Sequence, residues 1–238
     1  MGKEKKETKE KKEREKSGFR EFFELLAETA VFVFFVMTFV VQAFQIPTGS
    51  MEPTLLVGDF LLVNKLVYAN PVLPLERLIM PRKKLERHDV VVFKYPKELW
   101  KDFVKRIIAL EGEKVEIKNR QVYINDEPIL EEYKVHINSD VRDQEVYNYD
   151  DTIKDNFAPV VVPPGHCFVM GDNRDNSLDS RYWRFLPLSY IKGRPWVIYF
   201  SYKAERNAHL KTSLKERLKK FVSFIVKARP KRLLKVIR

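Results

Sequence analysis

One stretch of the chain, from Thr29 to Met51, carries no charged side chain, and it constrains the fold more than any other feature. Large Val and Phe side chains dominate its first half. Extending it upstream to Phe22 gives about 20 predominantly apolar residues, the length of a helix that crosses a bilayer. Only two glutamates interrupt that extended run. We therefore predict one membrane-spanning helix over 23–45.

Basic residues precede this helix, with nine Lys and Arg among residues 1–20. The positive-inside rule keeps 1–22 in the cytoplasm and puts everything after the helix outside it. A cleaved signal peptide fits less well, because no small-x-small cleavage site follows the apolar run. A buried core helix is disfavoured by apolar residues on all its sides, whereas a β-rich buried segment stays open. The prediction is a single-pass cell-membrane protein with an extracytoplasmic body.

The formal net charge of +11 is concentrated at the two ends of the chain. Residues 203–238 hold thirteen Lys and Arg against two Glu, whereas 21–202 hold 22 basic and 26 acidic residues. A nucleic-acid-binding protein would carry a basic stripe on its folded body. Positive tails that flank apolar segments favour contact with anionic lipid instead. We predict membrane lipid as a partner and no nucleic acid.

Beyond the apolar run, short β-prone segments alternate with turn residues. A Gly-rich phosphate loop and an alternation of strands with helices are both missing, which disfavours a nucleotide-binding α/β fold. We predict a mainly β protein, with an antiparallel β-sheet domain over 46–202 and a hairpin turn at 118–120. The predicted strands are 60–63, 90–93, 103–108, 115–117, 122–124, 160–162, 167–170 and 196–200.

Two segments stand apart by composition. Residues 126–156 hold ten Asp and Glu against three Lys and Arg, and we interpret them as a solvated acidic insertion. Over 207–228, apolar residues recur at steps of three and four with Lys and Arg on the other face. That pattern predicts a basic amphipathic helix lying on a membrane, although a solvated tail remains equally open. The basic amphipathic tail is assigned to 203–238.

Cysteine and histidine are scarce, which limits the possible chemistry. Cys167 is the only cysteine, so no intramolecular disulfide is possible, and the four histidines are scattered without the spacing of a zinc site. We predict neither a metal nor any other cofactor.

Ser50 lies in a turn just beyond the predicted outer membrane boundary. Pro47, Gly49 and Pro53 around it break the helix and expose the backbone. A serine on such a turn is most often only a turn residue, and it becomes a nucleophile only beside an activating base. The histidines offer no convincing His–Asp partnership, so the candidate bases are lysines in dry surroundings.

Lys105 is the lysine that stands out, because on a strand it would share a face with Phe103 and Ile107. Burial disfavours the ammonium form and lowers the pKa of a lysine. A lysine that is neutral near the working pH can accept a serine's proton. The ordinary alternative is a lysine on the wet face of a half-buried strand.

The segment 171–183 alternates Asp and Arg, which indicates a network of ion pairs. Ser177 within it is placed to orient a nearby lysine amine. An ordinary polar loop with Asx turns would also explain this composition. A calcium loop is disfavoured, because the closing glutamate of an EF-hand is missing and Arg174 would stand among the ligands.

Together these segments resemble the type I signal peptidases, a family of membrane-anchored serine–lysine proteases. The resemblance covers about residues 25–200 and leaves both charged tails outside. It is carried by five family boxes in the family's order: Pro47–Leu55, Gly58–Asp59, Asp89–Phe93, Lys105–Arg106 and Gly171–Trp183.

The resemblance implies an extracytoplasmic endopeptidase that removes signal peptides from translocated preproteins without a cofactor. It implies that Ser50 attacks the scissile carbonyl, Lys105 is the general base and Ser177 hydrogen-bonds the lysine amine. The Ser50 N–H and the Thr48 hydroxyl would hold the oxyanion, each such donor contributing about 3–4 kcal/mol. The residues that would buttress the site are Asp172, Arg174, Asp179 and Arg181. The residues that would line shallow pockets for small side chains are Phe44, Ile46, Leu55, Phe103 and Val104.

Two positions depart from the family pattern. Thr48 replaces the serine of many members, and its methyl group restricts the rotamer of the hydroxyl. His88 replaces the usual glycine of an Arg-Gly-Asp box, which puts the turn geometry there in question.

Two other kinds of protein share some of these features. A self-cleaving serine–lysine regulator would usually carry a DNA-binding domain instead of a membrane span. A catalytically silent, membrane-anchored β scaffold is disfavoured by the intact set of Ser50, Lys105 and Ser177.

Overall fold

A computed structural model of the chain describes residues 2–68, 83–137, 152–204, 224 and 226–237, with side chains from residue 18 onward except those of 152 and 154. The chain divides into two units, Met1–Val41 and Gln42–Arg238. The predicted domain boundaries at 22, 45 and 202 remain predictions. Most of the predicted amphipathic helix 207–228, and residues 138–151 of the predicted acidic insertion, lie outside the described residues and also remain predictions.

The first unit is helical. Helix α1 spans Gly2–Phe35 and continues as a π-helical turn over Val36–Val40. The segment Gly18–Val40 is long and apolar enough to cross a membrane. The helical conformation ends five residues before the predicted boundary at 45, because Val41 takes an extended conformation and begins strand β1, Val41–Gln45.

The second unit is built on an eight-stranded sheet. Besides β1, its strands are β2 Asp59–Asn64, β3 Val90–Tyr95, β4 Glu98–Ala109, β9 His166–Met170, β10 Leu186–Pro187, β11 Ile191–Ser201 and β12 Lys235–Val236. Their order is β1-β2-β11-β3-β4-β9-β10 in the described part of the chain, and β12 also pairs with β11. Strands β2, β3 and β12 pair antiparallel with β11, and β4 pairs antiparallel with both β3 and β9.

A smaller, four-stranded sheet has the order β7-β6-β5-β8 among the described residues. Its strands are β5 Lys114–Lys118, β6 Gln121–Ile124, β7 Glu127–Pro128 and β8 Phe157–Val161. The turn between β5 and β6 is the predicted hairpin, in which Asn119 and Arg120 both take positive φ angles. Two consecutive residues with positive φ match the right-handed twist of the flanking strands.

The described residues of this unit also form short helical elements: helix α2 (Thr152–Asp155), helix α3 (Ser180–Trp183), and 3₁₀ turns at Arg174–Asn176, Leu188–Tyr190 and Pro230–Arg232.

Among the described residues, three buried apolar clusters hold the sheets. The first contains Phe93, Phe103, Ile107 and Trp183; the second lies around Ile108, Val115 and Phe168; the third contains Ile46, Met51, Leu55 and Ile237.

The predicted fold class is confirmed, since the body is mainly antiparallel β with one apolar helix at its amino end. Each predicted strand overlaps an observed one, and all lie within it except 160–162, which extends one residue past the end of β8 at Val161. The sequence pattern missed β1, which lies inside the predicted helix 23–45. It also missed β7, β10 and β12, because two residues display no period.

Residues 228–237 differ from the amphipathic tail assigned to them. Ala228 bridges to Tyr202, and β12 pairs with β11 through Val236 and Val197. The last described residues thus belong to the sheet, because Ile237 finds a buried apolar site there.

Candidate active site

Ser50 lies on the connection between β1 and β2. The two ends of this connection are joined by backbone hydrogen bonds from Ile46 N–H to Asp59 O, 2.8 Å, and from Gly58 N–H to Ile46 O, 3.0 Å. Pro47, Gly49 and Pro53 prevent a regular helix here. Ser50 is 7% exposed, so the turn holds its hydroxyl against the body of the protein.

Lys105 brings an amine to this hydroxyl. It lies on β4, is 4% exposed, and its Nζ is 2.6 Å from Ser50 Oγ, across 55 residues of sequence. Phe103 and Ile107 are buried on the same strand, and the lysine Nζ stands 5.3 Å from the centre of the Phe103 ring. The two residues singled out as nucleophile and base are therefore in direct contact in a dry environment.

Asn173 supports the backbone around Ser50. Its N–H donates to Ser50 O at 3.1 Å, and its side-chain amide donates to Gly49 O at 3.4 Å. The C=O and N–H of a trans peptide point in opposite directions. Holding Gly49 O therefore turns the Ser50 N–H away from Asn173.

Gly171 follows β9 and lies where the Ser50 turn comes close to Ser177. A Cβ added to it would lie 2.3 Å from Ser177 Oγ and 2.5 Å from Ser50 O. Contacts that short are impossible without moving the serine backbone, so the first residue of the fifth box has to be glycine.

Ser177 is 1% exposed, beside Gly171 and Ser50. Its hydroxyl is close enough to Asp179 to help lower the pKa of that carboxyl, but it has no hydrogen-bond partner of normal geometry among the described residues. The expected hydrogen bond from Ser177 to the Lys105 amine is therefore not formed in this structure, because the hydroxyl lies beside Asp179.

Asp179 and Arg181 form a fully buried ion pair. The guanidinium donates to both carboxylate oxygens at 2.9 and 2.8 Å, and also to Arg174 O at 2.8 Å. Burial alone would raise the pKa of Asp179, but the Arg181 charge and hydrogen bonds, together with the Gly171 N–H, hold that pKa below its ordinary value. The pair stays charged. It joins residues 179–181 to Gly171 and Arg174, at the start of the segment 171–183.

Asp172 pairs with Arg106, the neighbour of Lys105. The guanidinium donates to both oxygens of Asp172 at 2.8 and 2.7 Å, and the Thr54 hydroxyl donates to the same carboxylate at 2.6 Å. The guanidinium also stacks on Tyr133, 4.1 Å from the ring centre. The Ser50 turn, β4 and the loop after β9 therefore meet at one buried carboxylate.

Arg174 pairs with Glu131, a residue that the sequence analysis missed. Both side chains are at most 2% exposed, and two guanidinium nitrogens donate to the carboxylate. Glu131 lies in the segment interpreted as solvated, so that interpretation is wrong at this position. Composition could not reveal it, because the partner that neutralises Glu131 is far away in sequence.

His88 takes a φ angle of +74°, in the region that favours glycine. The family's usual glycine thus has a physical reason here, and the histidine adopts the same backbone shape. Its carbonyl accepts from Arg106 at 2.8 Å, and its ring Nδ1 lies 2.8 Å from the Tyr133 hydroxyl. Burial, and then the Arg106 charge, lower the pKa of His88.

The residues expected to line substrate pockets separate into two groups. Ile46 and Leu55 are buried in the third apolar cluster, with Phe44 and Val104 packed against it. Phe103 belongs to the first cluster instead, stacked on Tyr95 with ring centres 4.5 Å apart. Thr48 is half-buried, two residues before Ser50.

Cys167 is a poor candidate for a second nucleophile. Cys167 is buried, and burial raises the pKa of its thiol to about 12, so it holds little thiolate at neutral pH. Within the part of the chain that the structure describes, no cluster of His, Cys, Asp and Glu is arranged to hold a metal ion.

Comparison with known proteins gives matches over most of the chain. The family described as "Signal peptidase, peptidase S26" matches residues 19–200. Signal peptidase I of Aquifex aeolicus (strain VF5) is 37% identical over 220 residues, covering 72% of this chain and 80% of that protein. Signal peptidase I of Pseudomonas aeruginosa is 33% identical over 202 residues, covering 75% and 71%. A crystal structure of a signal peptidase I from Enterococcus faecalis V583 is 30% identical and covers 47% of this chain and 97% of that one, with a TM-score of 0.36.

Proposed function

The chain belongs to the peptidase S26 family of signal peptidases, and from this we propose that it is a serine–lysine endopeptidase in which Ser50 is the nucleophile and Lys105 the general base. As a member of that family it is a protease that removes signal peptides. The observation that carries the proposed dyad is the 2.6 Å separation of Lys105 Nζ and Ser50 Oγ in a buried setting.

The dyad would work by moving one proton between two atoms already in contact. The neutral Lys105 amine accepts the Ser50 hydroxyl proton as Oγ attacks the scissile carbonyl carbon. The resulting ammonium then gives this proton to the departing amine, leaving an ester on Ser50. The Lys105 amine, neutral again, next takes a proton from the water molecule that attacks the ester. It then returns this proton to Ser50 Oγ as the ester bond breaks. Ser177 is proposed to orient the Lys105 amine once its hydroxyl turns from Asp179 toward that amine.

The oxyanion that forms during attack needs donors fixed in advance. We assign the Ser50 N–H and the Thr48 hydroxyl to this role. The contact from Asn173 to Gly49 O supports the first assignment, because it fixes the peptide that carries the Ser50 N–H. The ion pairs of Asp172, Arg174, Asp179 and Arg181 would keep the surrounding segments rigid.

The substrates implied by the family are preproteins that carry signal peptides. We propose that Phe44, Ile46, Leu55 and Val104 provide the apolar wall of the pockets for small side chains. Phe103 is proposed to contribute beside Lys105, whose amine lies near its ring.

Preprotein processing should depend on pH through the Lys105 amine. At low pH the amine is protonated and cannot accept the serine proton, so kcat/KM should rise as pH increases and the ammonium loses its proton. The test is processing of a preprotein with an Ala-x-Ala cleavage site in detergent across neutral and alkaline pH, with the product identified by mass. A rate independent of pH over that whole range would contradict a lysine base.

The apolar helix supports a membrane anchor for this enzyme. We propose that Gly18–Val40 spans the cell membrane, that the basic segment before it stays in the cytoplasm, and that the β body acts outside. Lipid would then be a direct partner of the chain.

The proposed topology predicts which part of the chain a membrane shields. In sealed right-side-out vesicles, added protease should remove the β body and leave about the first 40 residues, the cytoplasmic segment and the span, protected. Detergent-opened vesicles provide the control, in which those residues should also be digested. Protection of the whole chain would place the body in the cytoplasm and refute this orientation.

A further inference from the structure

The C-terminal segment Arg229–Ile237 lies beyond residue 200, where the match to the family ends, yet it contacts the turn that carries Ser50. This contact is specific. Arg232 donates to Asp59 Oδ1 at 3.0 Å, to Asp59 Oδ2 at 2.5 Å, and to Thr54 O at 2.9 Å. One guanidinium therefore joins the end of the Ser50 turn to the start of β2.

The acidic partner of this contact is deeply buried. The Asp59 side chain has no exposed surface, and it also accepts from Leu56 N–H at 2.8 Å and Ser201 Oγ at 2.6 Å. Gly58 before it has a φ of +90°, and a Cβ there would lie 2.2 Å from Tyr202 O. The second family box thus builds a tight corner whose carboxylate is met by a residue from the far end of the chain.

Further contacts hold the segment in place. Ile237 is 6% exposed and belongs to the same apolar cluster as Met51 and Leu55, which flank the turn after Ser50. Its N–H donates to Trp196 O at 3.0 Å, and Arg229 donates to Val57 O at 3.1 Å. Arg232 is therefore presented from a fixed backbone rather than from a loose tail.

Thr54 connects this contact to the Lys105 side of the site. Its carbonyl accepts from Arg232, while its hydroxyl donates to Asp172, the carboxylate that pairs with Arg106 next to Lys105. Thr54 is thus bound at its carbonyl and at its hydroxyl. The first bond fixes the Ser50 turn from the C-terminal side, and the second fixes it against β4.

We propose that Arg232 is a positioning residue for Ser50, holding the turn so that the hydroxyl stays in reach of Lys105. This inference rests on the proposed role of Ser50 as the nucleophile. The hydrogen bonds of Arg232 go to Asp59 and Thr54 rather than to Ser50 or Lys105, so we expect Arg232 to affect kcat and not KM. A misplacement of about 1 Å can cost about 100-fold in rate, and loss of the guanidinium frees Thr54 O to move.

The test uses the full chain in detergent with a preprotein substrate and separates kcat from KM. Arg232→Ala should lower kcat about tenfold or more while KM changes less than about twofold. Lys231→Ala removes the same charge from an exposed neighbour and should leave both constants unchanged. The double variant D59N/R232Q removes the buried carboxylate together with its Arg232 partner, and the second cation near Asp59, Arg229 at 3.9 Å, is 25% exposed to solvent. This variant should therefore fold even where Arg232→Ala does not, and it should still be slow because the shorter side chain cannot also hold Thr54 O.

If a folded Arg232→Ala or D59N/R232Q variant has the wild-type kcat, the positioning role is overturned. A tenfold rise in KM with kcat unchanged would overturn it as well. Ser50→Ala, assayed alongside, distinguishes the two proposals. Full activity of Ser50→Ala refutes the proposed function itself, whereas an inactive Ser50→Ala beside wild-type Arg232 variants refutes only the positioning.

Discussion

A chain carrying Ser50→Ala should leave a preprotein uncleaved under conditions where the wild-type protein processes it fully. Removing the nucleophile of a serine protease lowers kcat by about 10⁴-fold to 10⁶-fold, which corresponds to roughly 5–8 kcal/mol of transition-state stabilisation. Alanine lacks the hydroxyl that contacts Lys105 and fits the same turn. The measurement is single-turnover processing with purified protein in detergent.

Lys105→Met should have an effect of similar size, because methionine fills a similar volume among Phe103 and Ile107 without an amine. The double variant should be hardly slower than either single variant, since a nucleophile and its base act as one unit. If the two side chains acted independently, the fold-losses in rate of the two single variants would instead multiply in the double variant. The comparison of single and double variants therefore tests the dyad more sharply than either substitution alone.

Matched controls are available on the same sheet and surface. Lys94 lies exposed on the neighbouring strand β3, and Ser189 lies exposed just before β11. Lys94→Met and Ser189→Ala should process the preprotein at the wild-type rate. Wild-type processing by Ser50→Ala or by Lys105→Met would rule out the proposed mechanism.

Glu131→Gln should cause a large loss of folding stability. Glu131 and Arg174 are both buried, and the neutral amide would leave the Arg174 charge uncompensated while turning N–H donors toward its guanidinium. Breaking a buried ion pair in this way costs about 3–5 kcal/mol. We expect the midpoint of urea unfolding to fall correspondingly.

The neighbouring residue provides the control for this prediction. Glu132 is exposed, so Glu132→Gln removes the same charge without uncovering a buried partner and should leave the midpoint within experimental scatter. The slope of unfolding free energy against urea should be the same in both variants, which identifies the change as one of stability. An unchanged midpoint for Glu131→Gln would mean that the pair contributes nothing to folding.

Much of the fold could be predicted because it is expressed locally. Apolar length indicated the N-terminal helix, and β-branched runs between turn residues indicated the long strands. The hairpin at 118–120 could be predicted because a short turn separates two strands of matching pattern. The end of the helix at Val40 could not, since Val41–Gln45 is as free of charged residues as the run before it and becomes a strand only by pairing with β2.

The partners of the buried charges could not be predicted in the same way. Arg174 was expected in an ion-pair network, but its partner Glu131 stood in a segment whose composition indicated solvent. Arg106 was identified only as half of a Lys-Arg pair, and its bond to Asp172 joins residues 66 positions apart. No local pattern encodes such a pairing, because the electrostatic preference depends on distance in space.

Ser50 and Lys105 illustrate the division. The sequence by itself determined a serine in a turn after an apolar helix, a lysine among apolar neighbours on a strand, and the order of boxes that resembles a protease family. Only the tertiary structure decided that the two polar atoms lie 2.6 Å apart, and that Arg232, from the other end of the chain, holds the same turn. The reason is physical: burial and contact are properties of the assembled sheet, whereas period and composition are properties of the unfolded chain as well.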